Sequence, residues 1–170
     1  STWVEPDKNM AGSEAMARHV LYTKRYLAGL LNIQPQRLQV DFEPDTFGHS
    51  ANLPEILQQG GVKYYYHCRG RKESENKIYR WRSPSGAELL CFEEPYWYSS
   101  EVEPNIILPL PQLCRANHTS VFLHVYGVGD HGGGPTRRDI DRLIDMASWP
   151  LAPVIRFGTL HAFFHRLEKN

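Results

Sequence analysis

Two aspartates in this 170-residue sequence stand where a carboxylate could act on a bound substrate. Asp45 lies in Glu43-Pro44-Asp45-Thr46-Phe47-Gly48-His49-Ser50, just after a short strand candidate. Pro44 stiffens the approach and disfavours helix at Glu43, and Gly48 allows a tight turn. An Asp held on a rigid strand end suits a nucleophile or a metal ligand; local sequence also allows it to cap the helix that follows. Asp130 lies in Gly127-Val128-Gly129-Asp130-His131-Gly132-Gly133-Gly134-Pro135-Thr136. Its glycines free the backbone for positive φ and let a ligand come close. A glycine-rich loop before a helix can cradle phosphate. This one lacks the Lys-Ser/Thr ending of a P-loop and puts an acid where phosphate would be repelled. An acid catalyst or a ligand for sugar hydroxyls fits the charge better.

Three cationic or titratable neighbours accompany them. His131 suits a metal ligand, a substrate donor or a loop-packing group; contact with substrate or support of Asp130 is favoured. His49 has support of the Asp45 loop as its simplest role. Arg69, at the end of the next strand, can hold a carboxylate or a sugar hydroxyl by paired hydrogen bonds, or sit at the surface as most arginines do. Two carboxylates on separate strand-end loops are the minimum equipment for glycoside hydrolysis: one attacks or stabilises the anomeric carbon, the other protonates the leaving oxygen. On their own they indicate no more than a hydrolase.

Aromatic residues sit beside polar ones at Tyr64, Tyr65, Tyr66, Tyr96, Trp97 and Tyr98. A pyranose ring stacks on a flat π-face, so such a cluster suits a sugar platform; the competing reading is core packing. Lys+Arg and Asp+Glu are equal at 19 each, which leaves no basic field for nucleic acid. A hydrophobic content of 41% is enough for a packed core. Cys68, Cys91 and Cys114 are widely spaced without a CxxC, which points to a reducing compartment, most simply the cytoplasm. No run is long and apolar enough to span a membrane. The sequence begins without Met, so a preceding segment such as a signal peptide stays open, as does a homo-oligomer.

The elements that must position these side chains follow from periodicity. Ser13 to about Asn32 predicts an amphipathic helix with Met16, Val20, Leu27 and Leu31 inward and Ser13 as N-cap. Leu38 to Phe42 predicts a strand. Asn52 or Leu53 to Gln59 predicts a helix with Pro54 in its first turn and Gly60-Gly61 at its end. Val62 to His67 is a further strand, and Ile78 to Arg82 with Ala87 to Phe92 a hairpin. Residues 93–111 read as irregular, and Val121 to Tyr126 as a strand. Residues 137–148 read as a helix with Ile140, Leu143, Ile144 and Ala147 inward, Val154 to Phe157 as a strand, and 159–168 as a helix capped by Thr159. Strands alternating with helices predict an α/β fold with a mainly parallel sheet, in which chemistry collects after the C-terminal strand ends. Residues 1–170 read as a single domain.

At this point three segments, in order, carry a resemblance. Trp3-Val4-Glu5-Pro6-Asp7, then Pro44 to Pro54, then Val125 to Thr136 resemble the glycoside hydrolase family 38 α-mannosidases, closest to their bacterial and cytosolic branch. The likeness covers essentially the whole chain; the Asp-x-Phe-Gly and Gly-Asp-x-Gly-Gly-Gly-Pro-Thr elements are its specific parts. It implies an incomplete seven-stranded (β/α) barrel of the glycoside hydrolase/deacetylase type. It implies Asp45 as nucleophile and zinc ligand, and Asp130 as acid/base. Arg69, His131, Phe47 and Trp97 are then substrate-binding residues, and the substrate is an α-mannoside or mannose-containing oligosaccharide. It further implies that one Zn2+ takes its other ligands from a His-x-Asp strand end ahead of Trp3 and a His beyond Asn170, outside this chain, which would leave these residues alone inactive. Two other classes remain: a non-catalytic carbohydrate-binding domain using the aromatic platform, and a metal-dependent polysaccharide deacetylase on a related barrel.

Overall fold

A computed structural model describes residues 2–70, 74–128 and 132–169. Its contacts divide the chain into two compact units, residues 1–93 and 94–170.

In the first unit, α1 (Ser13–Leu31) forms where the periodicity placed it and ends on Asn32 in the left-handed conformation (φ 50°), whose N–H bonds the Ala28 carbonyl. The N-cap is Gly12 rather than Ser13, with no side-chain cap. The buried face is Met16, Val20 and Thr23, while Leu31 is exposed, so the apolar stripe ends a turn earlier than expected. Strand β1 (Val40–Glu43) leads into α2 (Leu53–Gln59), which has Pro54 in its first turn and stops at Gly60. Strand β2 (Tyr64–His67) follows, and then the hairpin of β3 (Ile78–Arg82) and β4 (Glu88–Glu93).

These strands form a four-stranded sheet in the order β1-β2-β4-β3. β1 with β2 and β2 with β4 are parallel; β3 with β4 is antiparallel. The sheet is therefore mainly parallel, in a mixed α/β unit. On one face Tyr65, Leu89 and Cys91 pack with Val62, Met16 and Val20 of α1, and Leu53 and Leu57 of α2. On the other, Tyr66 stacks with Phe42 (ring centroids 4.7 Å apart) and with Phe92 (6.0 Å). A central parallel strand is covered on both sides, so Tyr64, Tyr65 and Tyr66 are all buried at 1% exposure or less. This corrects the sugar-platform expectation for those three: they are core.

β1 alternates the opposite way from an ordinary strand. Its period of two turns Asp41 and Glu43 into the interior and leaves Phe42 41% exposed.

In the second unit, α3 (Leu110–Ala116) starts within a stretch expected to be irregular, with Pro111 in its first turn, where proline's missing N–H costs nothing. α4 (Arg137–Met146) opens with a capping box: Thr136 accepts the Asp139 N–H and Asp139 accepts the Thr136 N–H. Thr159 caps α5 (Leu160–Leu167) by accepting the Ala162 N–H, as expected. The core is Val102, Leu143 and Met146, flanked by Ile106, Ile107, Tyr126 and Ile155. Ile140 and Ile144 are exposed, so the inward stripe of α4 is rotated from the predicted one.

The strands predicted at Val121–Tyr126 and Val154–Phe157 do not form. A strand needs a neighbour to ladder with. Among the described residues the first has only a single bridge, Tyr126 to Ser100. Side chains take two of its N–H groups: Thr119 Oγ1 accepts that of Val121 (3.1 Å) and a Glu94 carboxylate oxygen that of Val125 (3.3 Å). Among the described residues no helix is long and apolar enough to cross a membrane.

Candidate active site

The parallel register explains why the first aspartate meets an arginine. Glu43, the last residue of β1, lies opposite His67, the last of β2. Asp45 and Arg69 each come two residues later, so the two loops leave the same sheet end side by side. The Arg69 Nε–H donates to Asp45 Oδ1, with the side chains 31% and 35% exposed. The guanidinium lies over the ring of Phe47, 4.4 Å from its centroid, within cation–π range. Phe47 itself is 70% exposed. Asp45, Arg69 and Phe47 are thus brought together at the C-terminal end of parallel strands, where the sequence placed them.

Two features hold the backbone beneath Asp45. Glu5 Oε1 accepts the Asp45 N–H at 2.8 Å, and Lys8 makes a parallel bridge with His49. Gly48 serves close approach rather than a tight turn: a Cβ there would lie 2.7 Å from the Asn9 Cβ.

Below the loop lies a buried ionic cluster. Lys8 Nζ contacts Asp41 Oδ2 and, at 2.6 Å, Glu43 Oε1; all three side chains are at most 1% exposed. Thr46 donates to Glu43 Oε2 at 2.6 Å and Thr2 to Oε1 at 2.8 Å. Burial, and then the charge of Asp41, push the Glu43 carboxyl up to about 7, against the pull of Lys8. Burial works to raise Asp41 too, but positive neighbours, Lys8 among them, hold it below the ordinary carboxylate value. Sequence reading missed Glu5 and Lys8 as partners of this loop. The acids left one local sign, Asp41-x-Glu43 with strand spacing, but nothing near Lys8 marks it as their counter-charge.

His49 and His67 flank the arginine. His49 Nε2 donates to the Arg69 carbonyl (2.8 Å) and its Nδ1 faces the Tyr65 hydroxyl (2.8 Å). His67 Nδ1 donates to the same carbonyl (2.7 Å) and its Nε2 faces the Tyr79 hydroxyl (2.6 Å). Burial, opposed by that backbone hydrogen bond, lowers the His49 value.

Trp97 belongs to the second unit, 43% exposed and stacked on Tyr98 with centroids 4.9 Å apart. Asp130 and His131 lie outside the described residues. A surface groove lined by Trp3, Tyr22, Arg25 and Tyr26 shares no residue with this site.

Zinc can be tested against the residues present. A protein zinc site takes three or four ligands, and among the described residues no three His, Cys, Asp or Glu side chains converge to hold a metal ion. Asp45 contributes one carboxylate, with one oxygen bonded to Arg69. The described residues do not make a zinc site by themselves.

Comparison with known proteins fits this arrangement. The model of the glycosyl hydrolases family 38 N-terminal domain matches residues 1–170. Alpha-mannosidase G of Dictyostelium discoideum is 30% identical over 175 residues, covering 99% of this chain and 16% of that protein. Human alpha-mannosidase 2C1 is 30% identical over 181 residues, covering 99% and 16%. A putative mannosylglycerate hydrolase of Halalkalibacterium halodurans is 24% identical over 185 residues, covering 96% and 20%. The chain spans about a sixth of the length of the first two. With the match running from end to end, and Asp45 and Arg69 paired at the strand ends, the chain belongs to the glycosyl hydrolases family 38 N-terminal domain family.

Proposed function

We propose that this chain supplies the nucleophile-bearing part of a retaining α-mannosidase. The observation that carries the reading is the Asp45 carboxylate: one-third exposed at a parallel strand end, oriented by Arg69, in a chain matched throughout by this family. In the first step an Asp45 oxygen attacks C1 of an α-mannosyl unit while Asp130 protonates the departing oxygen. In the second, Asp130 takes a proton from water, which displaces Asp45 and releases mannose with its configuration kept. Arg69 holds one Asp45 oxygen, and the exposed Phe47 offers an apolar surface for the sugar. His131 and Trp97 complete the proposed substrate contacts.

The seven-stranded barrel belongs to this proposal, as does zinc dependence of the longer protein, in which Asp45 would be joined by ligands from outside this chain. Bound zinc would act as a Lewis acid and template for sugar hydroxyls; none of the steps above runs through it. The wide spacing of the three cysteines, without a CxxC, supports a cytoplasmic setting.

The test is Asp45→Asn in the full-length protein that contains this chain. Hydrolysis of 4-nitrophenyl α-D-mannopyranoside is expected to fall on the order of 10³-fold or more, as for loss of a catalytic nucleophile. A 2-deoxy-2-fluoro mannosyl fluoride should label the peptide bearing Asp45 by mass spectrometry. An unchanged rate, or acetate rather than mannose released from a substrate panel, overturns the reading.

A further inference from the structure

The Arg69 carbonyl oxygen accepts two ring N–H groups, from His49 and His67, whose rings are 5.0 Å apart. A carbonyl has two lone pairs, and here both are filled by donors that are themselves anchored. A carbonyl can only accept, so the proton sits on Nε2 of His49 and Nδ1 of His67. Each ring's remaining nitrogen then accepts from a tyrosine hydroxyl, Tyr65 and Tyr79 respectively. Tyr65 is fully buried and His67 is 1% exposed.

The room for this arrangement is specific. Gly70 sits at φ +89°, and a Cβ there would fall 2.4 Å from His49 Cδ2. His49 also lies in the same loop as Asp45, four residues on. The two loops are therefore tied twice: side chain to side chain at Asp45–Arg69, and side chain to backbone at His49–Arg69.

We infer that His49 and His67 are positioning residues that orient Arg69, and through it the Asp45 carboxylate, for the glycosidase reaction; this rests on the function proposed above. Each imidazole bonds the Arg69 carbonyl and a tyrosine hydroxyl. They fix the peptide that carries the arginine, which keeps the guanidinium against Asp45 Oδ1 rather than in solvent.

The experiment compares isosteric with apolar replacements in the full-length protein. His49→Gln keeps a donor near the Nε2 position and His67→Asn one near Nδ1; His49→Leu and His67→Phe do not. With 4-nitrophenyl α-D-mannopyranoside, each apolar variant should lower kcat ~10- to 100-fold, as small displacements of a catalytic group do, with KM nearly unchanged. Each amide variant should stay within about 5-fold of wild type. In an Arg69→Met background the apolar variants should add less than about a 3-fold loss, because the coupling partner is gone. Equal losses in both backgrounds, or amide variants as impaired as the apolar ones, would overturn the inference. If His49→Leu does not fold, the His67 pair carries the same comparison. A crystal structure of an apolar variant gives an answer independent of activity: the Arg69–Asp45 separation should exceed about 4 Å, the limit of an ion pair. An intact pair there sinks the positioning role even if Asp45 proves to be the nucleophile. A broken pair supports it even if the substrate proves not to be a mannoside.

Discussion

The two units offer contrasting examples of how an ionisable side chain is buried. In the first, Lys8 and Asp41 are wholly buried with Glu43, and the three meet in direct ionic contact. In the second, His124 is 15% exposed and 3.8 Å from Glu94 Oε1, and burial pushes its value down to about 4. A buried group must bring a counter-charge into contact or give its charge up. A lysine, whose ordinary value lies far above neutrality, pairs; a histidine, close to neutrality, goes neutral. Glu43 stands between the two, raised to about 7 while touching Lys8. Helix ends differ as well. Neither α1 nor α2 has a side-chain cap, whereas α4 and α5 each begin on a threonine cap. Long-range polar contacts occur in both, such as Lys8 with Asp41 in the first and Arg142 with Glu103 in the second.

The largest effect that would break this contrast is at Lys8. Lys8→Met removes the cation that contacts both buried carboxylates and should cost ~3–5 kcal/mol, read from urea denaturation midpoints. A neutral result would mean that the cluster is not ionic in the folded protein.

Acidification tests the other side. The folded His124 value of about 4 lies below the ordinary 6.5. Its contribution to stability is therefore complete above pH 6.5 and drains as pH falls toward about 4. The slope is about 1.4 kcal/mol per pH unit within that window. Glu94 is the carboxylate facing the ring; the others against it are the Tyr96 and Tyr126 rings and the Ser100 hydroxyl. Glu43 runs the opposite way, since its raised value favours the protonated form, so its stabilisation fades as pH rises from 4.5 to about 7. The informative quantity is therefore the difference between wild type and His124→Gln. The variant should lose less stability between pH 7 and pH 5 by thermal melts, and parallel profiles would refute the assignment.

Smaller changes sharpen the picture. Thr136→Ala removes the acceptor for the Asp139 N–H and half of the capping box, and should destabilise the second unit by about 1 kcal/mol in denaturant melts. Arg82→Ala removes the hairpin pair with Glu88, in which the arginine is 70% exposed. It should change stability by only ~0.2–1 kcal/mol, and a larger loss would mean that surface pairs count for more here than their exposure allows.

Helices with strong period and punctuation were legible in the sequence. α2 was bounded by Pro54 and Gly60, α5 by Thr159, and the β3–β4 hairpin by its Ser-Pro-Ser-Gly turn. The segments at 121–126 and 154–157 misled because an apolar run states only that a strand is possible; a ladder partner decides whether one forms. The sugar-platform reading of Tyr64–Tyr66 failed for a related reason, since a run of tyrosines reads the same on a surface as in the middle of a sheet. At the site, Asp45, Phe47 and Arg69 were nameable from motif and position. Glu5, Lys8 and the shared carbonyl of Arg69 were not, because each joins residues that are distant in the chain.

Residue type, spacing and strand–loop punctuation by themselves determined that Asp45 follows one strand and Arg69 the next, and that the loop at Asp45 is stiffened by Pro44. Those are local properties, set by side-chain chemistry and backbone sterics within a few residues. Only the tertiary structure decided that Glu43 stands opposite His67, so that the aspartate and the arginine touch, and that Lys8 neutralises acids more than 30 residues away. Register and ion pairing are set by the mutual burial of whole elements, and no local stretch of sequence contains that information.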